Sequence, residues 1–184
     1  MKLLVFLVAL FTSVSAFAED FFAQMVLQGV TFQVESPNDS SINPVTVRAE
    51  TSDGPIGSID TEADGTITDL EVADLNADGY PEIYIYVNSA GSGSYGSLIA
   101  YASNRNLSLS EIYLPPIEDG SDEAKGYMGH DEFRVVESIF ARRFPIYRDG
   151  DPNAAPSGGT RQIQYKLVAG EAGWLLRKDQ VVEY

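Results

Sequence analysis

The sequence contains no cysteine and only one histidine in 184 residues. The lack of cysteine excludes disulfides, thiol catalysis and thiolate metal sites. The single histidine, His130, excludes a histidine-rich metal site. It lies in a turn-like segment, 128–131, and no Gly-x-Ser-x-Gly elbow accompanies it. We therefore expect His130 to be a solvated turn residue or an interface contact, and not a catalytic base.

Basic residues are scarce as well. The chain has 12 Lys and Arg against 27 Asp and Glu, a formal net charge of −15. This balance excludes nucleic acid as an expected partner, because a phosphate backbone requires a basic patch. An acidic surface favours a basic partner and speeds its capture by long-range attraction. Composition alone leaves open the alternative that the charge only keeps an exported protein soluble.

One long apolar run is present, at 3–11, and it follows a lysine and precedes the Ala-Phe-Ala tripeptide at 16–18. This pattern predicts a signal peptide over residues 1–18, cleaved before Glu19. The run is shorter than the roughly 20 residues that cross a bilayer, so no membrane insertion is expected after cleavage. Export without cysteine favours the periplasm of a Gram-negative bacterium. Residues 19–184 have a length typical of one domain.

The rest of the chain consists of short apolar segments, most of which alternate with period two between turn residues. This pattern predicts an all-β fold, an antiparallel two-sheet β-sandwich with short turns. At most one short helical turn is expected, at 121–125, together with a hairpin around 169–173 and a long loop at 149–159. The predicted strands lie at 26–34, 45–49, 66–72, 82–87, 97–101, 107–114, 133–147 (with one bulge), 162–167 and 174–177.

An acidic loop precedes the most apolar predicted strand. Asp74, Asn76, Asp78 and Glu82 occupy its positions 1, 3, 5 and 9, and Gly79 occupies position 6. Calcium requires six to eight oxygen ligands, which this spacing can arrange around one ion. The loop resembles the short Asp-x-Asn-x-Asp-Gly loops of exported calcium-binding β-repeats. The alternative is a tight Asx-rich turn without metal. No cofactor is required, and a structural calcium ion in this loop is the one candidate.

The next loop, 88–97, combines three glycines with small hydroxyl side chains and one tyrosine. Its four central residues are Ser92, Gly93, Ser94 and Tyr95. A protruding tip of this kind can enter a cleft, where a tyrosine supplies a large contact area with few rotatable bonds. The alternative is a mobile glycine-serine hairpin tip, and composition alone favours this alternative.

Ser92-Gly93-Ser94-Tyr95 resembles the Ser-Gly-x-Tyr motif of the periplasmic inhibitors of invertebrate-type (i-type) lysozyme. The resemblance extends from 74–79 through 112–116, and to 126–133 and 142–147. It therefore covers most of the chain after the predicted signal peptide.

The resemblance implies that residues 19–184 form a lysozyme-inhibitor β domain that pairs as a homodimer and is not an enzyme. It also implies that the Ser-Gly-x-Tyr loop enters the active-site cleft of a basic i-type lysozyme. Ser92 and Tyr95 then match the polar contacts to the catalytic carboxylates, Gly93 keeps the loop thin, and Ser94 occupies the variable position. The backbone amides of 93–95 can add further donors to an ionised carboxylate.

Two other functions stay open from the residues alone. The first is a calcium-dependent exported β-module that binds a glycan or a protein. The second is an enzyme acting on cell-wall sugars with a carboxylate pair, although no pair stands out among the 27 acids. Arg142 and Arg143 alternate along a predicted strand, so we expect them to form structural salt bridges.

Overall fold

The computed structural model describes residues 20–171 and 173–184, and the predicted signal peptide lies outside this part. The described residues form an all-β structure without any helix. None of them builds a helix that could span a membrane. The strands are β1 Phe21–Leu27, β2 Val30–Ser36, β3 Ile42–Thr51, β4 Gly54–Asp64, β5 Thr66–Ala73, β6 Glu82–Asn88, β7 Gly96–Asn104, β8 Ser108–Tyr113, β9 Glu132–Val136, β10 Ile139–Pro145, β11 Thr160–Ala169 and β12 Trp174–Glu183.

The first sheet is a four-stranded antiparallel meander in the order β1-β2-β3-β4. β1 and β2 are joined by Gln28 and Gly29, whose φ angles of 48° and 80° are those of a primed hairpin turn. The prediction of one continuous strand over 26–34 is therefore wrong. The chain reverses in the middle of that segment, and Leu27 pairs with Val30 across the turn.

The second sheet has eight strands in the order β5-β6-β7-β8-β12-β11-β10-β9. All its pairs are antiparallel except β8 with β12, which run parallel. The bulge predicted within 133–147 is instead a two-residue turn between β9 and β10, with Glu137 at a φ of 54°. The segment 121–125 forms a series of turns closed by hydrogen bonds such as Ala124 N–Ser121 O, and not a helical turn.

Strand β6 lies between two hydrophobic cores. Its residues Ile83, Ile85 and Val87 pack with β2, β3 and β4 of the first sheet. Its alternate residues Tyr84 and Tyr86 pack with Phe133, Phe140, Phe144, Ile163 and Tyr165 of β9, β10 and β11. The apolar residues on both faces, which predicted a central strand, are explained by this double burial. The predicted all-β fold with two packed sheets is confirmed.

The eight-stranded sheet curls so that its two edge strands approach one another. Arg134 in β9 forms an ion pair with Asp69 in β5 at 2.6 Å. The amide of Val135 donates to the Glu71 carboxylate at 2.7 Å. This curvature brings the β6–β7 loop, the segment before β9 and the β10–β11 connection to one end of the molecule. The predicted long loop at 149–159 lies in that last connection.

Candidate functional site

The loop between β6 and β7 is closed by its own hydrogen bonds. The amide of Ser89 donates to the Tyr95 carbonyl at 2.9 Å, and the amide of Tyr95 donates to the Ser89 hydroxyl at 3.0 Å. Inside this ring, the amide of Ser94 donates to the Gly91 carbonyl at 3.0 Å. The loop is therefore a turn that is closed by internal hydrogen bonds. Two of the three amides expected to bind a partner, those of Ser94 and Tyr95, are engaged within the loop.

Two neighbouring segments hold the loop from outside. The Gly93 carbonyl accepts a hydrogen bond from the amide of His130 at 2.7 Å. Gly129 permits this contact because it has a φ of +87° and because a Cβ there would lie 2.1 Å from the Gly93 oxygen. From the 149–159 loop, the Asn153 side chain donates to the Ser92 carbonyl at 3.1 Å.

The residues predicted to contact a partner lie together at this tip. Ser92 is exposed, and Tyr95 is 48% exposed. The Tyr95 ring packs edge-on against Tyr127, with 5.6 Å between the ring centroids, so one side of the ring is held while the other faces solvent. This combination of a fixed ring and an accessible surface suits a residue that anchors a protein–protein contact.

Beneath the loop lies a polar cluster formed by half-buried Tyr127 and by buried Asp131 and Arg142, which we call the loop brace. Arg142 Nε donates to Asp131 at 2.7 Å, and Arg142 also donates to the Tyr127 hydroxyl at 2.6 Å. The Tyr127 hydroxyl donates to Asp131 at 2.7 Å. Burial is the main cause that raises the pKa of Tyr127, so this phenol stays protonated as a donor.

Sequence reasoning anticipated a structural salt bridge for Arg142 but did not identify Asp131 or Tyr127. Arg143, its neighbour on the strand, points elsewhere and donates to the neutral side chain of Gln162, so the salt bridge predicted for Arg143 is wrong. His130 lies in a turn, as expected, with Nε2 at 3.2 Å from the Asn153 side-chain oxygen. His130 is therefore a turn residue, which is one of the two roles predicted for it.

The acidic loop 74–82 brings three of its four predicted ligands together. Carboxylate oxygens of Asp74, Asp78 and Glu82 lie within 4.8 Å of one another. The same groups accept backbone hydrogen bonds: Asp74 from Asp78 and Gly79, and Glu82 from Leu75. The loop is therefore a satisfied Asx-rich turn as it stands.

The fourth predicted ligand, Asn76, also contributes to this turn, because its side chain donates to Asp78 at 2.9 Å. Glu82 is only 1% exposed, and burial raises its pKa to about 8. A buried neutral carboxyl group needs no cation for charge balance. The calcium site stays a prediction.

A family model described as PliI, the periplasmic lysozyme inhibitor of I-type lysozyme, matches residues 51–125. This range contains both the acidic loop and the Ser92-Gly93-Ser94-Tyr95 loop, and it ends before the loop brace. The resemblance predicted for 126–133 and 142–147 lies beyond it and stays a prediction. No curated protein matches the chain.

Two crystal structures of PliI from Aeromonas hydrophila are similar to this chain. One, in complex with Meretrix lusoria lysozyme, is 33% identical; the match covers 50% of this chain and 80% of that one, with a TM-score of 0.43. The other, of the inhibitor without lysozyme in its description, is also 33% identical. The match covers 50% of this chain and 84% of that one, with a TM-score of 0.44. The family assignment rests on the matched sequence and not on the superposition.

The family consists of periplasmic inhibitors rather than enzymes. This agrees with the periplasmic location and the non-enzymatic role expected from the sequence. With 33% identity over at least four-fifths of each of these two inhibitors, the chain belongs to the family of periplasmic inhibitors of I-type lysozyme.

Proposed function

We propose that the protein inhibits an i-type lysozyme by inserting the Ser92-Gly93-Ser94-Tyr95 loop into the active-site cleft. The observation that carries this proposal is the state of the loop. It is closed by its own hydrogen bonds, and it presents an exposed serine and a half-exposed tyrosine at its tip. A tip of this kind enters a cleft without first having to become ordered.

The chemistry of the tip complements the chemistry of a lysozyme cleft. A lysozyme uses one protonated and one ionised carboxyl group. The Ser92 hydroxyl donates to the ionised group and accepts from the protonated one, and the Tyr95 phenol adds a second donor. Because the amides of Ser94 and Tyr95 are engaged within the loop, the side chains rather than these amides make the contacts. Inhibition then follows from exclusion of the sugar chain and the attacking water.

We also propose that the target is a basic lysozyme and that the inhibitor forms a homodimer. A basic lysozyme is the expected target, because the inhibitor carries a net charge of −15. Pairing as a homodimer is supported by the edge strand β1, on which Phe22 and Val26 are 61% and 62% exposed. Light scattering during size-exclusion chromatography measures the mass, and a monomeric mass at micromolar concentration rejects the homodimer without affecting the inhibitory role.

The experiment is a cell-wall lysis assay with an i-type lysozyme, in which inhibition constants are measured for the wild type and for loop variants. Ser92→Ala and Tyr95→Ala are each expected to weaken inhibition by about 1–4 kcal/mol, as for central interface residues. Their melting temperatures should stay near that of the wild type, because both side chains reach solvent. Tyr95→Phe separates the hydroxyl's contribution from that of the ring.

Ser52→Ala is the matched control, since Ser52 is an exposed serine in the turn between β3 and β4. It should inhibit as the wild type does. Full inhibition by both Ser92→Ala and Tyr95→Ala would reject the loop as the contact, and a wild-type protein that slows no i-type lysozyme would reject the function.

A further inference from the structure

We propose that Asp131 is a positioning residue, which sets the inhibitory loop in its binding conformation before any lysozyme arrives. This inference rests on the proposed function and extends it to a residue outside the loop. Asp131 lies 36 positions beyond Tyr95 in the chain, and its side chain is completely buried.

The two carboxylate oxygens of Asp131 are fully used. One accepts from Arg142 Nε at 2.7 Å. The other accepts from the Tyr127 hydroxyl at 2.7 Å and from the backbone amide of Gly96 at 2.8 Å. Gly96 is the first residue of β7, directly after the loop. A buried carboxylate that receives charge-assisted bonds in this way fixes its partners strongly. The exit of the loop is therefore tied to the loop brace.

The same short segment holds the loop at a second point. The amide of His130 donates to the Gly93 carbonyl at 2.7 Å. The two ties, at Gly93 and at Gly96, lie on either side of Ser94 and Tyr95. They therefore determine the direction in which the Tyr95 ring leaves the backbone.

Close packing at the exit supports this role. A Cβ at Gly96 would lie 2.6 Å from Asp131 Cβ and 2.7 Å from the Phe133 ring. The backbone at 96 can approach the carboxylate because it carries no side chain. The end of the loop at Gly96 is therefore packed tightly against Asp131 of the loop brace.

This arrangement has a consequence for binding. A loop that is ordered in the free protein loses little conformational freedom in the complex. Loss of the Asp131 carboxylate should therefore weaken inhibition even though every side chain that touches the lysozyme is unchanged. The effect should appear mainly in the association rate, since fewer molecules hold the loop in its binding conformation.

Asp131→Asn is the test, because the asparagine keeps the shape but directs an amide donor at groups that are themselves donors. In the free protein, hydrogen exchange of the loop amides at 93–96 should become at least 10-fold faster, while the amides of β6 keep their protection. Inhibition should weaken by about 10- to 100-fold through a slower association rate. Tyr127→Phe is the matched control, since it removes both hydrogen bonds of the Tyr127 hydroxyl from the loop brace, to Asp131 and from Arg142, and leaves the Asp131–Gly96 contact in place.

Unchanged loop exchange in Asp131→Asn, or an equal loss of loop protection in Tyr127→Phe, would overturn the proposal. If Asp131→Asn does not fold, hydrogen exchange of the wild-type protein is the test. The Gly96 amide must then exchange as slowly as the strand amides, and fast exchange of this amide would reject its hydrogen bond to Asp131. Hydrogen exchange requires no lysozyme. A wild-type protein that fails to inhibit would therefore reject the proposed function, while the exchange data would still decide on the loop brace.

Discussion

The ring of Tyr95 lies directly against the backbone of Gly93. A Cβ at position 93 would be 2.6 Å from Tyr95 Cε2 and 3.1 Å from the Met128 carbonyl oxygen. Gly91, two residues earlier in the same loop, has no atom within 4 Å of its corresponding position. Packing therefore requires a glycine at position 93, whereas Gly91 faces open space.

Gly93→Ala should displace the Tyr95 ring, because the Met128 carbonyl leaves the new methyl group no other room. We expect inhibition of an i-type lysozyme to weaken about 10-fold or more, a loss of about 1.4 kcal/mol per factor of ten. Gly91→Ala should inhibit like the wild type. Inhibition constants and melting temperatures of both variants check this, and equal effects of the two substitutions would contradict the steric role of Gly93.

The contact between Asp131 and Gly96 illustrates what sequence alone could not predict about the site. The loop itself was identified, because its glycines, hydroxyls and tyrosine are contiguous. Asp131 is 35 positions from Gly96, and nothing in the spacing indicates that the segment before β9 returns to the start of β7. The one available signal was the resemblance at 126–133, which marked the segment without assigning a role to any of its residues.

The errors in the predicted fold have a similar origin. Alternation of apolar residues predicts most of the strands, but it does not reveal the turns at Gln28-Gly29 and Glu137-Ser138. Hairpin turns of this type usually contain Asn-Gly or Asp-Gly, since their residues adopt positive φ. Gln28 and Glu137 adopt it here at 48° and 54°. Strand β4 is not predictable from apolar alternation, because only Ile56 and Ala63 are buried along its 11 residues.

Arg142 and Arg143 provide a matched pair for the stability of the loop brace. Arg142 is buried and donates to both Asp131 and Tyr127, whereas Arg143 is half-buried and donates to Gln162. A lysine cannot reproduce a forked guanidinium contact. Arg142→Lys should therefore lower the free energy of unfolding by about 3 kcal/mol, in the range for a broken buried pair. Arg143→Lys should cost about 1 kcal/mol or less.

Urea unfolding at neutral pH measures both values. If Arg143→Lys lowers the free energy of unfolding as much as Arg142→Lys does, the buried Arg142–Asp131 pair stabilises the fold no more than the Arg143–Gln162 contact.

The excess of acidic residues predicts that the association rate with a basic lysozyme depends on salt. The net charge of −15 attracts such a partner over roughly 10 Å at 0.1 M salt, and over less at higher salt. Raising the ionic strength from 0.05 to 0.5 M should slow association by about 10-fold or more and change dissociation little. Stopped-flow or surface-based kinetics check this prediction. A rate that is independent of salt would mean that the charge serves solubility only.

Glu82 predicts a pH dependence of stability. Burial raises its pKa from 4.5 to about 8, so the folded protein holds this proton more tightly than the unfolded chain does. The stabilisation is complete below pH 4.5 and is lost as pH rises through about 8. At about 1.4 kcal/mol per pKa unit, the loss reaches about 3–5 kcal/mol. Urea unfolding between pH 5 and 9 in a chelator should show this decline, and Glu82→Gln should flatten it.

The same measurement tests the calcium prediction, because a bound cation stabilises the ionised form of Glu82. If Asp74, Asn76, Asp78 and Glu82 bind calcium, millimolar calcium should restore the stability lost near pH 8 and should do so in the wild type but not in Glu82→Gln. An unchanged unfolding curve with calcium at every pH would show that the loop is a metal-free Asx turn. A pH slope that persists in Glu82→Gln would instead show that another group titrates, since glutamine carries no proton to lose.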